Sequence, residues 1–483
     1  MMQLKGTAVV PASLVFMAEA GQDHEPGLNK TVRSMKDIAL TLAKEKPHTI
    51  ILVNKHGNVF EDAVSLDYTP RLKGKLTVSG EETAVEKECD MGLLEEINRR
   101  SGREKLPVYL VNDRSVEEFG IRQELSDASL TALYYIHKVY SDFKIVQITA
   151  GDISRSELYR IGMIVREAVE ANGKSAFMIT SADQSDRLSS ENEGIREAAL
   201  AYDAEMTENL ADDQYLPILE MQPSLITKAD AAGYDPIVLM LGCFEKIRTQ
   251  TSVLSYETAA GTGYLCAESR FLLEDHDFII PGVLEQYEEK LRLEKEALLK
   301  NESELIKMIR AAAALWVTEQ RRLDFPTYCT LIEDQDLKQQ LQNQQAGVFV
   351  TVMKNDRIRG CMGSITPFGS NIGEAFIHYT IEALSYDPRF MPVEPDELDS
   401  LTYTADILER PEDVEETDEL DPSVFGLVVE QGVHRSVLLP GLPDITTAAQ
   451  QIEQGKEKAG INRITQDDTE PLILQRFRTE HFS

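Results

Sequence analysis

The run Thr49-Ile50-Ile51-Leu52-Val53 carries no polar side chain after its first residue. A strand of that kind belongs inside a sheet that is covered on both faces. Residues 29–46 place Val32, Met35, Ile38, Ala39 and Leu42 on one side of a helix, and residues 156–172 do the same with Leu158, Ile161, Ile164, Val165 and Ala168 before Gly173 stops them. Further short apolar runs at 7–10, 107–111, 145–148, 176–180 and 236–241 repeat the rhythm of strand and helix. The pattern predicts an α/β fold: a three-layer domain with a largely parallel sheet and helices on both faces. Ligands of such sheets sit beyond the carboxyl ends of the strands, where His56 and residues 181–186 fall.

With 483 residues the chain is too long for one core. The expected plan is a first domain over residues 1–280, a charged helical linker over 281–304 and a smaller α+β domain over 305–483. In the linker, Glu288 and Arg292 stand four apart in the favourable order for a helix-surface pair, and Trp316 beyond it reads as core. The second domain opens with residues 347–353, whose valines take one face of a strand. A turn at 354–357 returns the chain as Arg357-Ile358-Arg359-Gly360-Cys361-Met362-Gly363-Ser364. Glycines on either side of a thiol permit close approach of a ligand or of another element, and nearby arginines favour a thiolate. Cys361 is therefore a candidate catalytic thiol, or else a buried packing thiol. Two-residue alternation puts Arg359 on the face of Cys361, with Ser364 and the loop 366–370 at the rim of the expected cleft. Asn371 and Glu374 offer a capping box for the helix that follows, whose N-terminus would favour an anionic group. A strand at 401–408, an acidic loop at 409–421, a hairpin over 425–439 and a last helix stopped by Gly460 complete the domain.

Asp and Glu number 82 against 49 Lys and Arg, a formal charge of −33, which repels phosphate backbones and anionic membranes. Nucleic acid and membrane are thus not expected as partners. Cysteines at 89, 243, 266, 329 and 361 have no paired spacing for zinc or for a disulfide framework, and a cytoplasmic setting fits them. The apolar stretch 6–18 has only Lys5 before it and Pro11 within it, so a first strand is expected there and not a signal segment.

The stretch from Gly347 to Pro367 resembles the signature of the AMMECR-one family. Asp387-Pro388-Arg389-Phe390, Glu394-Pro395-Asp396-Glu397-Leu398 and Lys458-Ala459-Gly460-Ile461 follow in the family's order. The resemblance implies a site at Arg359, Gly360, Cys361, Gly363, Ser364 and Arg389, and no settled reaction. Lys55-His56-Gly57-Asn58-Val59-Phe60, Ala150-Gly151-Asp152, Leu239-Met240-Leu241-Gly242 and Leu254-Ser255-Tyr256-Glu257 resemble the LigB superfamily of class III extradiol dioxygenases and Memo proteins. That superfamily implies ferrous iron held by two histidines and a glutamate, with another histidine in acid–base work. Here the expected histidines fall at Ala12, Asp127 and Asp186, the acidic or cysteine position at Ala231 or Ala232, and only His56 is kept. The resemblance thus leaves a degenerate domain, a harder metal site of His56, Asp127 and Asp186 for another divalent metal, or a working dioxygenase with His56 as catalytic residue. The order of the two domains resembles the AmmeMemoRadiSam system, which implies a radical-SAM partner and an unknown small-molecule or protein substrate. A non-catalytic scaffold is the other reading.

Overall fold

The computed structural model describes residues 2–17, 28–78, 81–272, 280–354, 357–442, 445, 447–461 and 471–483. Contacts divide the chain into two compact units, Met1–Leu293 and Glu294–Ser483. Among the described residues no helix is long and apolar enough to cross a membrane.

The strands of the first unit are β1 (Leu4–Val10), β2 (Thr49–Asn54), β3 (Val64–Asp67), β4 (Arg71–Val78), β5 (Glu81–Glu88), β6 (Val108–Val111), β7 (Lys144–Thr149), β8 (Ala176–Ser181), β9 (Thr249–Ala259) and β10 (Thr262–Phe271). Eight of them form one sheet in the order β6-β3-β7-β2-β8-β1-β10-β9. Its centre, β7-β2-β8-β1, is parallel, and β10 and β9 extend it antiparallel. Every residue of β2 is buried, as its unbroken apolar run requires. Alternation along β2 sends Thr49 to the helix Met91–Arg103, where its hydroxyl meets the capping carboxylate of Asp90 at 2.7 Å. Asn54, five residues on, points the other way and donates to Ser129 of the helix Asp127–Ile136 at 3.2 Å. Helices therefore cover both faces. The apolar run at 236–241 is a helix, Tyr234–Gly242, and not the expected strand. Pro236 lies in its first turn, where no amide donor is needed, and burial on every side erases the helical period from its sequence.

The charged helix Val283–Asn301 ends before Glu302, and a new helix, Glu304–Glu319, starts on the Ser303 cap. The Ser303 hydroxyl, which accepts from the Ile306 amide, and the Glu302–Arg310 ion pair mark the junction between the two helices. Glu288 pairs with Arg160, and Arg292 reaches Glu289 instead of Glu288.

In the second unit β11 (Val348–Lys354), β12 (Arg357–Ser364), β13 (Leu401–Leu408) and β18 (Thr479–Phe482) form one sheet, in the order β12-β11-β13-β18. The other sheet is β14 (Glu412–Asp413), β17 (Ile473–Phe477), β15 (Gly426–Gln431) and β16 (His434–Leu438) in that order. Val348, Val350 and Val352 of β11 face a core with the helices Glu304–Glu319 and Ile372–Ser385. Phe349, on the opposite face, packs with Val428, Val437 and Phe477 of the other sheet. Trp316 lies at the edge of the core and donates to Ser385 at 2.8 Å. Of the expected turn at 354–357, Asn355 and Asp356 lie outside the described residues.

This unit owns a core of its own, and its last residue returns to the Ser303 amide. Residues 302–483 expressed alone are expected to unfold in one cooperative transition in a thermal melt. A broad, non-cooperative melt of that fragment would contradict the division.

Candidate functional site

At the carboxyl end of the first sheet, His56 follows β2 by two residues, and its amide donates to Asn54 at 2.8 Å. Asn54 is held from below by a buried chain of hydrogen bonds. Its amide reaches Ser129, Ser129 donates to Gln147 at 2.6 Å, and Gln147 donates to Asp67 at 2.7 Å. Burial pushes the Asp67 carboxyl up to about 6. The His56 ring is exposed on its outer side, while the protein behind it lowers its pKa and the negative charge of Asp127 opposes the fall. Asp127 opens its helix at the surface beside His56. Asp186 lies elsewhere in the loop after β8: it accepts from Thr262, and its charge acts on Asp183. Ala12 is buried after β1, and its amide donates to Asp183 at 2.8 Å. Burial pushes Asp183 up to about 6 against the hydrogen bonds from Ala12 and Ser13. The charge of Asp127 thus acts on His56, and that of Asp186 on Asp183. Among the described residues no three His, Cys, Asp or Glu side chains converge to hold a metal.

In the second unit β12 is an edge strand, and Cys361 faces away from the core with Thr351, whose hydroxyl lies 3.4 Å from its sulfur. Among the described residues the outward backbone groups of Cys361 find no strand to pair with. Side chains of one loop take them instead. The Cys361 amide donates to Asp387 at 2.9 Å, and Arg389 donates to the Cys361 carbonyl at 3.4 Å. Arg389 also binds Asp387 through two side-chain nitrogens, at 2.9 and 2.7 Å, and through its own amide at 3.1 Å. Asp387 is 4 % exposed, and the Arg389 guanidinium holds its carboxyl down at about 2. Both glycines of the signature are needed by the protein itself: a Cβ at Gly360 would overlap the Ala383 carbonyl, and one at Gly363 would overlap the Phe349 ring.

Arg359 departs from the expected arrangement. Pairing with β11 jumps from Gly360 to Ile358, so Arg359 is the extra residue of a bulge, and two-residue alternation does not carry through it. Its fork closes on Glu397 at 3.0 and 2.9 Å and on the Met391 carbonyl at 2.9 Å. Burial would push Glu397 up, but the hydrogen bonds from Arg359 and Lys354 hold it at about 2. Arg359 therefore anchors the loop after Phe390. The cations near the thiol are Arg389 and Lys458, the latter on the helix Ala448–Ala459 with its ammonium 2.9 Å from the Val437 carbonyl. The protein packed around Lys458 lowers its pKa, Cys361 draws it back up, and Arg389 adds to the fall. Ser364 closes a local turn with Thr366, at 2.9 Å between hydroxyls. Asn371 caps the next helix at the Glu374 amide, but the Glu374 side chain goes to Arg322 at 2.8 Å, so the expected capping box is half made. Sequence reasoning did not single out Asp183, Lys55 or Lys458, nor the backbone clamp; Arg389 was a candidate, and Asp387 was visible only within its motif.

The family model described as the catalytic LigB subunit of aromatic ring-opening dioxygenase matches residues 10–267, and the AMMECR1 model matches residues 311–482. A Clostridium acetobutylicum protein is 29% identical over 479 residues, covering 99% of this chain and 98% of its own. A Thermotoga maritima protein is 38% identical over 161 residues, 33% of this chain and 90% of its own. The crystal structure of an uncharacterized Escherichia coli K12 protein is similar over 55% of this chain and 99% of its own, with a TM-score of 0.40 and 12% identity. The LigB description brings an expectation of iron that these residues do not fit. A buried methyl stands at Ala12, its amide already spent on Asp183, and the carboxylate charge acting on the kept imidazole is that of Asp127.

The clamp makes a specific prediction. Asp387→Ala leaves a backbone amide and a guanidinium without their acceptor, and is expected to destabilise the chain by about 3 kcal/mol in urea unfolding. Because the folded pKa of Asp387 is depressed from 3.8 to about 2, its contribution is complete above about pH 4 and is lost as the pH falls toward about 2. The gap between wild type and variant should therefore close on acidification; a gap that is constant from pH 7 to pH 2 would contradict the assignment.

Proposed function

We propose that this chain, which belongs to the LigB family and carries an AMMECR1 domain behind it, works through the thiol of Cys361 and has left ring-opening oxygen chemistry behind. The observation that carries this reading is the clamp on the Cys361 backbone. A buried carboxylate with four hydrogen-bond donors is a strong device to spend on one edge residue. It fixes the strand where the thiol emerges and leaves the sulfur itself half-exposed. Thr351 is the hydroxyl beside the sulfur, and Arg389 and Lys458 supply positive charge near it. In a chain of net charge −33 such a pairing of cations favours a substrate with an anionic group next to an electrophilic centre. Cys361 acts as nucleophile or attachment point, and Arg389 and Lys458 orient the anion.

The first unit then serves as a recognition body, with His56 and Asp127 at its crevice. The reading places the chain with a radical-SAM partner in a modification pathway, on a small-molecule or protein substrate. The order of the LigB and AMMECR1 domains supports it, and co-purification with such a partner from the source cell tests it.

The other four cysteines are internal controls. Cys89, Cys243, Cys266 and Cys329 are buried, and burial pushes the first three up to about 12. Native protein is expected to take up iodoacetamide at Cys361 alone, the four buried thiols reacting only after denaturation. In Arg389→Ala and Lys458→Ala the rate of that reaction at neutral pH should fall. If Cys361 reacts only after denaturation, the thiol reading fails and the motif is structural.

A further inference from the structure

The crevice of the first unit contains a cation that the proposed function does not use. Lys55 follows β2 directly and precedes His56. Its ammonium turns inward, with the side chain 19 % exposed, and sits 2.7 Å from Asp152 and in close contact with Asp235. Asp152 follows β7, and its amide is fixed on the Phe60 carbonyl at 2.9 Å. Asp235 lies in the first turn of the helix Tyr234–Gly242, with its side chain 14 % exposed. Three separate elements at the carboxyl end of the sheet thus meet on one ammonium.

Asp152, 31 % exposed, and Asp235 both lie against this ammonium, and two partly buried carboxylates so close together repel each other unless a cation lies between them. Divalent cations meet that need with oxygen ligands, and an ammonium meets it with three N–H donors. Burial lowers the pKa of Lys55, yet the two aspartates reverse this and leave it raised, so the ammonium is charged throughout the neutral range.

We infer that Lys55 is the resident cation of this crevice: a tethered ammonium stands between Asp152 and Asp235 where a divalent ion would otherwise be held. The Asp152–Asp235 pair therefore needs no metal as built, and removal of the ammonium turns the same carboxylates into a divalent-cation site. The misfit to iron described above has a counterpart here, since the charge that a metal would supply comes from the chain. The inference does not depend on Cys361.

The test uses the full chain, stripped of metal and titrated with Mn2+ by calorimetry, with melts in EDTA and in about 1 mM Mn2+. Wild type is expected to show no binding at this site and an unchanged melting temperature. Lys55→Met is expected to melt lower in EDTA, to bind about one Mn2+ per chain and to recover by about 5 °C in Mn2+. Adding Asp235→Asn to Lys55→Met should restore stability in EDTA and abolish Mn2+ binding, because one charge of the facing pair is gone. Wild type that binds Mn2+, with loss of binding in Asp152→Asn, would overturn the inference. So would folded Lys55→Met that is indifferent to Mn2+. If Lys55→Met does not fold, the double variant decides: recovery supports the charge role, and failure shows that the lysine is needed for packing alone.

Discussion

An edge strand has backbone groups with no neighbour to satisfy them, and in the second unit this constraint falls on Cys361. Asp387 and Arg389 act as a substitute strand, one accepting from the amide and the other donating to the carbonyl. The rest of the signature follows from this placement. Gly360 lets β12 lie against the helix that leads into the Asp387 loop, and Gly363 makes room for Phe349, which ties the two sheets together. Arg359 and Glu397 anchor the far end of the same loop. A sequence stretch that looks like a list of binding residues is, in large part, the mechanical support of one thiol.

The first unit shows the reverse case. Its sheet, its crevice and its kept histidine follow the LigB plan, and a buried hydrogen-bond chain from Asp67 to Asn54 still fixes the loop of His56. What has changed is the donor set. Aspartates stand at 127 and 186, and a buried methyl occupies position 12. The sheet itself rests on the buried apolar residues of β2 and its neighbours.

The fold was legible where burial leaves a periodic trace. The apolar run of β2, the alternating valines of β11 and the one-sided helices at 29–45 and 155–172 were all readable from spacing. Full burial hides the period, so residues 236–241 read as a strand and fold as a helix. The bulge at Arg359 has no signature in composition, yet it breaks the alternation on which the expected Arg359–Cys361 pairing rested. Lys458 lies 97 residues from Cys361, and Asp235 lies 180 from Lys55, so neither pairing could be read from local spacing.

The central claim is that this member of the LigB family does not open aromatic rings and that its reactive centre lies in the AMMECR1 domain. The most direct measurement is oxygen uptake by the full chain after anaerobic loading with ferrous iron, across a panel of catechols. No uptake above that of free iron is expected, in wild type or in His56→Ala. Ring-opening turnover by wild type that disappears in His56→Ala would contradict the claim.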